Sequence, residues 1–182
     1  MARIRGLVIT GRPGSGKTTL FNSLIGEARR RGLRIAGFSC PEERVAGRRV
    51  GFRIRDLASG REAWLARTQG CVEGPRIGRY HVCVEEALDL GLQALSRAGD
   101  ADILGIDELG PMELGIPRLR EAIIGALSGA ERFIVVAHAR LRDQGVLAVI
   151  RGAGVEWVAV DPRGRASAWR RAHGLLDEMI AP

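Results

Sequence analysis

The sequence predicts an α/β fold: a mostly parallel sheet with helices on both faces and an antiparallel hairpin inserted into it. Three observations carry that reading. Four short apolar runs, LVIT (7–10), ILGI (103–106), FIVVA (133–137) and WVAV (157–160), are near-continuous rather than alternating, as in strands covered on both faces. Helical patterns stand between or after them, the alternation expected of a parallel sheet. The first run leads straight into the glycine-rich stretch TGRPGSGKTT (10–19), which holds the one lysine of the 182-residue chain.

Taken in order, the first helix starts at Lys17 and places Leu20, Leu24 and Ala28 on one face. The segment 34–66 differs in period. Val50, Phe52 and Ile54 alternate with Gly51, Arg53 and Arg55, the pattern of a half-exposed strand. Ala58, Ser59 and Gly60 then turn the chain into REAWLA, which makes 34–66 an antiparallel hairpin inserted after the second strand. Arg49, Arg53 and Arg55 fall on one face of it, as solvated strand charge or as a contact for phosphates.

A helix after Val84 carries Leu88, Leu92 and Leu95, and another begins near Pro117, a first-turn position, with Leu119, Ile123 and Leu127. Between FIVVA and WVAV there is room for one short helix. The last helix carries Trp169, Ala172, Leu176 and Ile180. No repeat, linker or composition break divides the chain, so residues 1–182 are read as one domain.

At 46% hydrophobic the chain can bury a sizeable core without staples. Its net charge of +7 permits nucleic acid as a partner without requiring it, because only 4% of residues are aromatic and the arginines are scattered. Cys40, Cys71 and Cys83 form no CxxC pair, and an odd count argues against a disulfide framework. Cys83 is therefore read as a buried or half-buried thiol. No apolar run reaches the length of a membrane span, and the first ten residues read as a strand rather than a signal peptide. A cytoplasmic monomer is the expectation.

The chemistry lies in two places. Gly11, Arg12, Pro13, Gly14, Ser15, Gly16, Lys17 and Thr18 fit G-x-x-x-x-G-K-[ST] in full, with Thr19 following. The glycines let successive N–H groups turn inward as an anion nest, and a helix N-terminus lies beneath. Lys17 is a compact charge that reaches the β- and γ-phosphates, which a guanidinium fork would not do inside the loop. That explains one lysine in a chain otherwise written with arginine. Thr18 offers a hydroxyl to Mg²⁺.

The second place is Ile103, Leu104, Gly105, Ile106, Asp107, Glu108, Leu109 and Gly110. Asp107 leaves the strand where it can hold the metal, and Glu108 is placed to polarise an attacking water. His138, just past FIVVA, sits at a strand tip that faces the nucleotide in such sheets, as a γ-phosphate sensor or as a plain loop histidine. Arg140 and Arg142 follow it as a small lid or as surface charge. With its single lysine in the loop, the chain has no Asn-Lys-x-Asp box for selecting guanine.

With these motifs placed, the chain resembles the THEP-type nucleoside triphosphatases, the family that includes the cancer-related NTPase of vertebrates. The likeness spans essentially residues 1–165. It includes Gly37-Phe38, Glu42, Arg44, Gly47, Arg49 and Val50-Gly51-Phe52, then Pro75 to Tyr80, and the block Ile106-Asp107-Glu108-Leu109-Gly110 with Met112-Glu113-Leu114.

The resemblance implies a RecA-like P-loop NTPase sheet in which one strand separates the Walker A and Walker B strands. It also implies slow Mg²⁺-dependent hydrolysis of ATP, GTP, CTP and other nucleoside triphosphates. On that pattern Gly11–Thr18 and Ile103–Gly110 contact nucleotide, Thr18 and Asp107 hold the metal, and Lys17 and Glu108 are catalytic. Arg44 and Arg49 are pattern arginines that complete or brace the site. Pro111 stands where the family often has lysine, Pro41 where it has an acid, and Gly164 where it has asparagine. Two alternatives remain open: a small-molecule or nucleotide kinase, and a nucleotide-switched nucleic-acid-binding protein.

Overall fold

The computed structural model describes residues 3–71 and 73–181. β1 (Gly6–Thr10) runs into the glycine loop and α1 (Lys17–Arg30) follows it, with Leu20, Leu24 and Ala28 buried together with Phe21 and Ile25. β2 (Ile35–Ser39) comes next. The chain then makes an antiparallel meander of β3 (Glu42–Val45), β4 (Arg48–Asp56), β5 (Glu62–Arg67), β6 (Arg76–Ile77) and β7 (Tyr80–Val82). The antiparallel segment is thus displaced from the 34–66 hairpin read from alternation: 35–39 is β2, which pairs in parallel with β8, and the meander runs on to Val82 through β6 and β7, which are too short for a period to be visible.

The remainder is α2 (Val84–Leu95), β8 (Ile103–Leu109), the one-turn α3 (Pro111–Leu114), α4 (Pro117–Gly129), β9 (Phe133–Ala137), α5 (Gln144–Ile150), β10 (Val155–Ala159) and α6 (Arg165–Ile180). The sheet order is β10-β1-β9-β8-β2-β4-β5-β7-β6, with β3 paired to β4. The first five strands of that order pair in parallel, and every pairing from β2–β4 onward is antiparallel. One strand, β9, lies between β1 and β8, as the resemblance implied.

The α/β fold with helices on both faces follows from how the parallel strands divide their side chains. Val8, Leu104, Ile106, Phe133 and Val135 join the core under α2, α4 and α5. Leu7, Ile9, Ile103, Ile134 and Val136 join the core under α1 and α6. Neighbours in sequence go to opposite faces, and both faces are dry, hence the unbroken apolar runs. No helix among the described residues is long and apolar enough to cross a membrane.

Several expectations are corrected. The seam of α2 is Ala87, Leu90, Gly91, Ala94 and Leu95, while Leu88 and Leu92 are only half-buried. The cause is packing against α4: a side chain at Gly91 would meet Leu119, so the helix turns its small residues inward. In α6 the buried stripe is Ala168, Ala172, Leu176 and Met179, with Trp169 and Ile180 at its edge.

Cys71 and Cys83 form a disulfide across a separation of 12 residues, with Cα atoms 4.9 Å apart. The odd cysteine count excluded only complete pairing. The β6–β7 hairpin folds the chain back and brings the two together, which spacing does not reveal. Cys40 is the free thiol.

Arg49, Arg53 and Arg55 do not share a face. Val50 has no partner in β3 and Leu65 none in β4, so two bulges interrupt the alternation. Arg53 stacks over Trp64 at 3.6 Å and pairs with Glu43, and Arg55 pairs with Glu62. Arg49 turns the other way, over the ring of Phe52.

Candidate functional site

The carboxyl ends of the parallel strands all lie at one edge of the sheet, and the meander folds beside that edge. Between them is a cavity of about 400 Å³. On one side stand Gly11, Pro13, Gly14, Lys17 and Thr18 from the glycine loop and the start of α1. Gly16 closes that loop at a φ of 101°, a left-handed backbone that suits glycine, and no side chain caps α1. The free N–H groups of its first turn are what an anion would meet there. The Lys17 Nζ donates to the Arg12 carbonyl at 3.1 Å. The buried Ser15 Oγ has no hydrogen-bond partner among the described residues. Arg165, at the first position of α6, rests its guanidinium against Gly16.

β8 supplies the acidic side. Ile103, Leu104 and Ile106 are buried in the two cores and, with Gly105, sit within the sheet, away from the cavity. Asp107 and Glu108 line it. Asp107 pairs with Ser39 and Val136, after which the register with β9 shifts and Glu108 is left without a strand partner. Burial pushes the Asp107 carboxyl up to about 6; a hydrogen bond from Thr18 and the Lys17 charge pull it down, and Glu108 pushes it up. A buried carboxylate beside a threonine hydroxyl and a second carboxylate is a set of hard oxygen donors. It suits Mg²⁺ rather than a softer cation. The Cys71–Cys83–Glu86 cluster has its two sulfurs in the disulfide and offers no thiolate to a cation.

Nothing in the spacing of the sequence marks Glu113 as part of this site, yet it lines the cavity at 3% exposure. Gly110, Pro111 at the first helical position and Gly115 bracket the single turn of α3, which returns Glu113 toward β8. A Cβ at Gly110 would lie 3.0 Å from the Glu113 Oε2 and 3.2 Å from the Glu108 Oε1, so the two carboxyl groups flank the same bare backbone. Burial pushes Glu113 up to about 8, with Glu108 and Asp107 adding to the shift and its own backbone and the Cys40 thiol opposing it. Burial and the Glu113 charge push the Cys40 thiol up in turn. The signals available in sequence were a proline-started turn a few residues past Asp107 and the place of Glu113 in the Met112-Glu113-Leu114 block of the resemblance, which carried no role for it.

The remaining sequence candidates divide. His138 lines the cavity; its Nδ1 accepts the Arg140 N–H at 3.1 Å, which leaves the proton of a neutral ring on Nε2. Arg49 lines it from β4, donating to the Tyr80 hydroxyl at 3.0 Å and pairing with Glu42. Arg44 is exposed and braces Glu42 instead, at 2.8 Å. Arg12, Ser15, Gly16 and Thr19 belong to the loop and the helix start without lining the cavity. Leu109 and Gly110 border a neighbouring cavity with His138, Arg140 and Arg142.

The family described as NTPase matches residues 6–172. The Nucleoside-triphosphatase THEP1 of Ignicoccus hospitalis is 46% identical over 166 residues, 91% of this chain and 93% of that protein. Its counterpart in Hyperthermus butylicus is 43% identical over 176 residues, 96% of this chain and 92% of that one.

Two solved structures are similar throughout. The crystal structure of THEP1 from the hyperthermophile Aquifex aeolicus has a TM-score of 0.78 at 26% identity, covering 94% of this chain and 99% of that one. The solution structure of a human cancer-related nucleoside triphosphatase has a TM-score of 0.79 at 27% identity, covering 97% of this chain and 100% of that one. With residues 6–172 matched by the family and 91% of the chain aligned to a relative 46% identical to it, the chain belongs to the NTPase family.

Proposed function

We propose that the chain is a Mg²⁺-dependent nucleoside-triphosphate phosphohydrolase that converts ATP, GTP, CTP and other nucleoside triphosphates to diphosphate and phosphate with little regard for the base. The observation that carries this reading is the opening of the glycine loop and the Asp107–Glu108 strand end into one cavity. The names of the relatives support the reaction class. The lack of an Asn-Lys-x-Asp box supports the broad base range. The whole chain acts as one catalytic domain.

In this mechanism the loop N–H groups and the start of α1 hold the phosphate chain. Lys17 brings its charge to the β- and γ-phosphates, and Arg165 supplies a further cation beside Gly16. Thr18 and Asp107 would hold Mg²⁺, which would supply charge neutralisation for the departing diphosphate. Glu108 orients the water and takes its proton as the oxygen attacks the γ-phosphorus. Glu113, which keeps its proton at neutral pH, adds no further negative charge beside it. His138 donates from Nε2 toward the γ-phosphate.

The test is phosphate release from ATP, GTP, CTP and UTP with and without Mg²⁺. The wild type is expected to hydrolyse all four only with the metal. Lys17→Ala is expected to lose nucleotide binding, and Glu108→Gln to bind normally and turn over about 10²- to 10⁴-fold more slowly. Unchanged turnover in Glu108→Gln would remove Glu108 as the base.

A further inference from the structure

Part of the cavity goes unused in hydrolysis. The glycine loop, Asp107, Glu108 and His138 suffice for a triphosphate and a water. The opposite wall comes from the meander and is of another character: Arg49, Phe52, Leu65, Ile77 and Tyr80. The Phe52 and Tyr80 rings meet edge to face, with centroids 5.3 Å apart at 72°. Leu65 and Ile77 add aliphatic surface. A hydrolytic water has no use for a ring-lined wall, and apolar lining with a few convergent polar groups is the ordinary make-up of a site for an organic molecule.

We propose that this wall is an acceptor subsite for a nucleoside, and that the enzyme transfers the γ-phosphoryl group to a nucleoside hydroxyl as well as to water. The rings of Phe52 and Tyr80 suit a planar heterocycle. Arg49 and Glu42 stand side by side and face the same space, offering a donor and an acceptor to the edge of such a ring. The Arg49 guanidinium is held by Glu42 and by the Tyr80 hydroxyl rather than standing free as a phosphate ligand. That favours a neutral nucleoside over a nucleotide or a sugar phosphate. A cavity of about 400 Å³ is within the range of small-molecule sites.

The proposal rests on the hydrolase reading for its donor side. The hydroxyl oxygen of the nucleoside bonds to the γ-phosphorus, and the bond from that phosphorus to the β–γ bridging oxygen breaks. The nucleoside diphosphate leaves with the electron pair, and the hydroxyl proton passes to the Glu108 carboxylate. The products are a nucleoside diphosphate and a nucleoside monophosphate.

The experiment incubates the full chain with Mg²⁺, γ-labelled ATP and each of adenosine, guanosine, cytidine and uridine, and separates labelled phosphate from labelled nucleoside monophosphate. Labelled monophosphate from at least one nucleoside is expected with the wild type. Ile77→Asp, which puts a charge on the half-buried edge of the apolar wall, is expected to lower it at least tenfold. Phosphate release without nucleoside should stay within twofold in that variant, which also reports that it is folded. Release of phosphate with no labelled nucleoside in any arm overturns the acceptor subsite and leaves the hydrolase reading standing. Equal transfer by wild type and Ile77→Asp overturns the placement on this wall. Absence of both release and transfer in the wild type overturns both readings.

Discussion

Replacing Glu113 with glutamine should remove most of the pH dependence of folding stability between pH 6 and 8. The side chain is 3% exposed, and burial beside Glu108 and Asp107 lifts its carboxyl from 4.5 to about 8. Between those two values the unfolded chain has lost this proton and the folded chain keeps it. The folded state therefore binds more protons, and stability falls as pH rises until Glu113 ionises in the fold as well. Asp107 behaves alike but only up to about 6, so the interval from 6 to 8 isolates Glu113.

Two pH units at about 1.4 kcal/mol each, less the half-ionisation of the folded group at pH 8, make a loss of about 2 kcal/mol. Guanidinium unfolding of the chain, without nucleotide and with chelator, at pH 6, 7 and 8 measures it. Wild type should lose that amount while Glu113→Gln stays nearly flat, so the gap between them widens with pH. Parallel curves would refute the reasoning, because Glu113 would then ionise in the fold as it does in water.

Three other outcomes follow from the geometry. Cys83→Ser, or reduction of the wild type, should cost about 3 kcal/mol of stability by the loop-closure estimate for a 12-residue separation, read as a lower unfolding midpoint; an unchanged midpoint on reduction would exclude the bond as a contributor. His138→Ala should weaken the preference for triphosphate over diphosphate about tenfold in equilibrium binding, the scale of one hydrogen bond to a charged group. Because Arg49, Arg53 and Arg55 are each paired with a glutamate, a labelled oligonucleotide should not be retained at about 0.15 M salt; retention with a steep salt slope would restore the nucleic-acid reading.

The parallel half of the sheet was legible because its signals are local. Residues 7–19 hold a strand, an anion loop and a helix start in one unbroken stretch, and the physics of each is contained within it. Asp107 and Glu108 were legible because an apolar strand must end somewhere, and a carboxylate pair at that end is conspicuous. Glu113 was not, because its place depends on a single turn of α3 doubling back on β8. The Cys71–Cys83 bond was not, because β6 and β7 have two and three residues and leave no period to read.

The division between what could and could not be read matches a division within the chemistry. Phosphate is held largely by backbone N–H groups, and the conformation that aims them is set by glycines a few residues apart. Such a site can be written in eight consecutive letters. The wall that faces the phosphate uses side chains instead, and which way a strand side chain points depends on register. One unpaired residue, Val50, is enough to turn Arg49 from the face of Arg53 to the face of Phe52. Alternation in the sequence assigns Arg49 to the outer surface, and the bulge assigns it to the cavity. What this family member does to phosphate is therefore written locally, whereas what it presents the phosphate to is written in strand pairing. Sequence likeness to the loop and the acidic strand end transfers the first and leaves the second to the register of the meander.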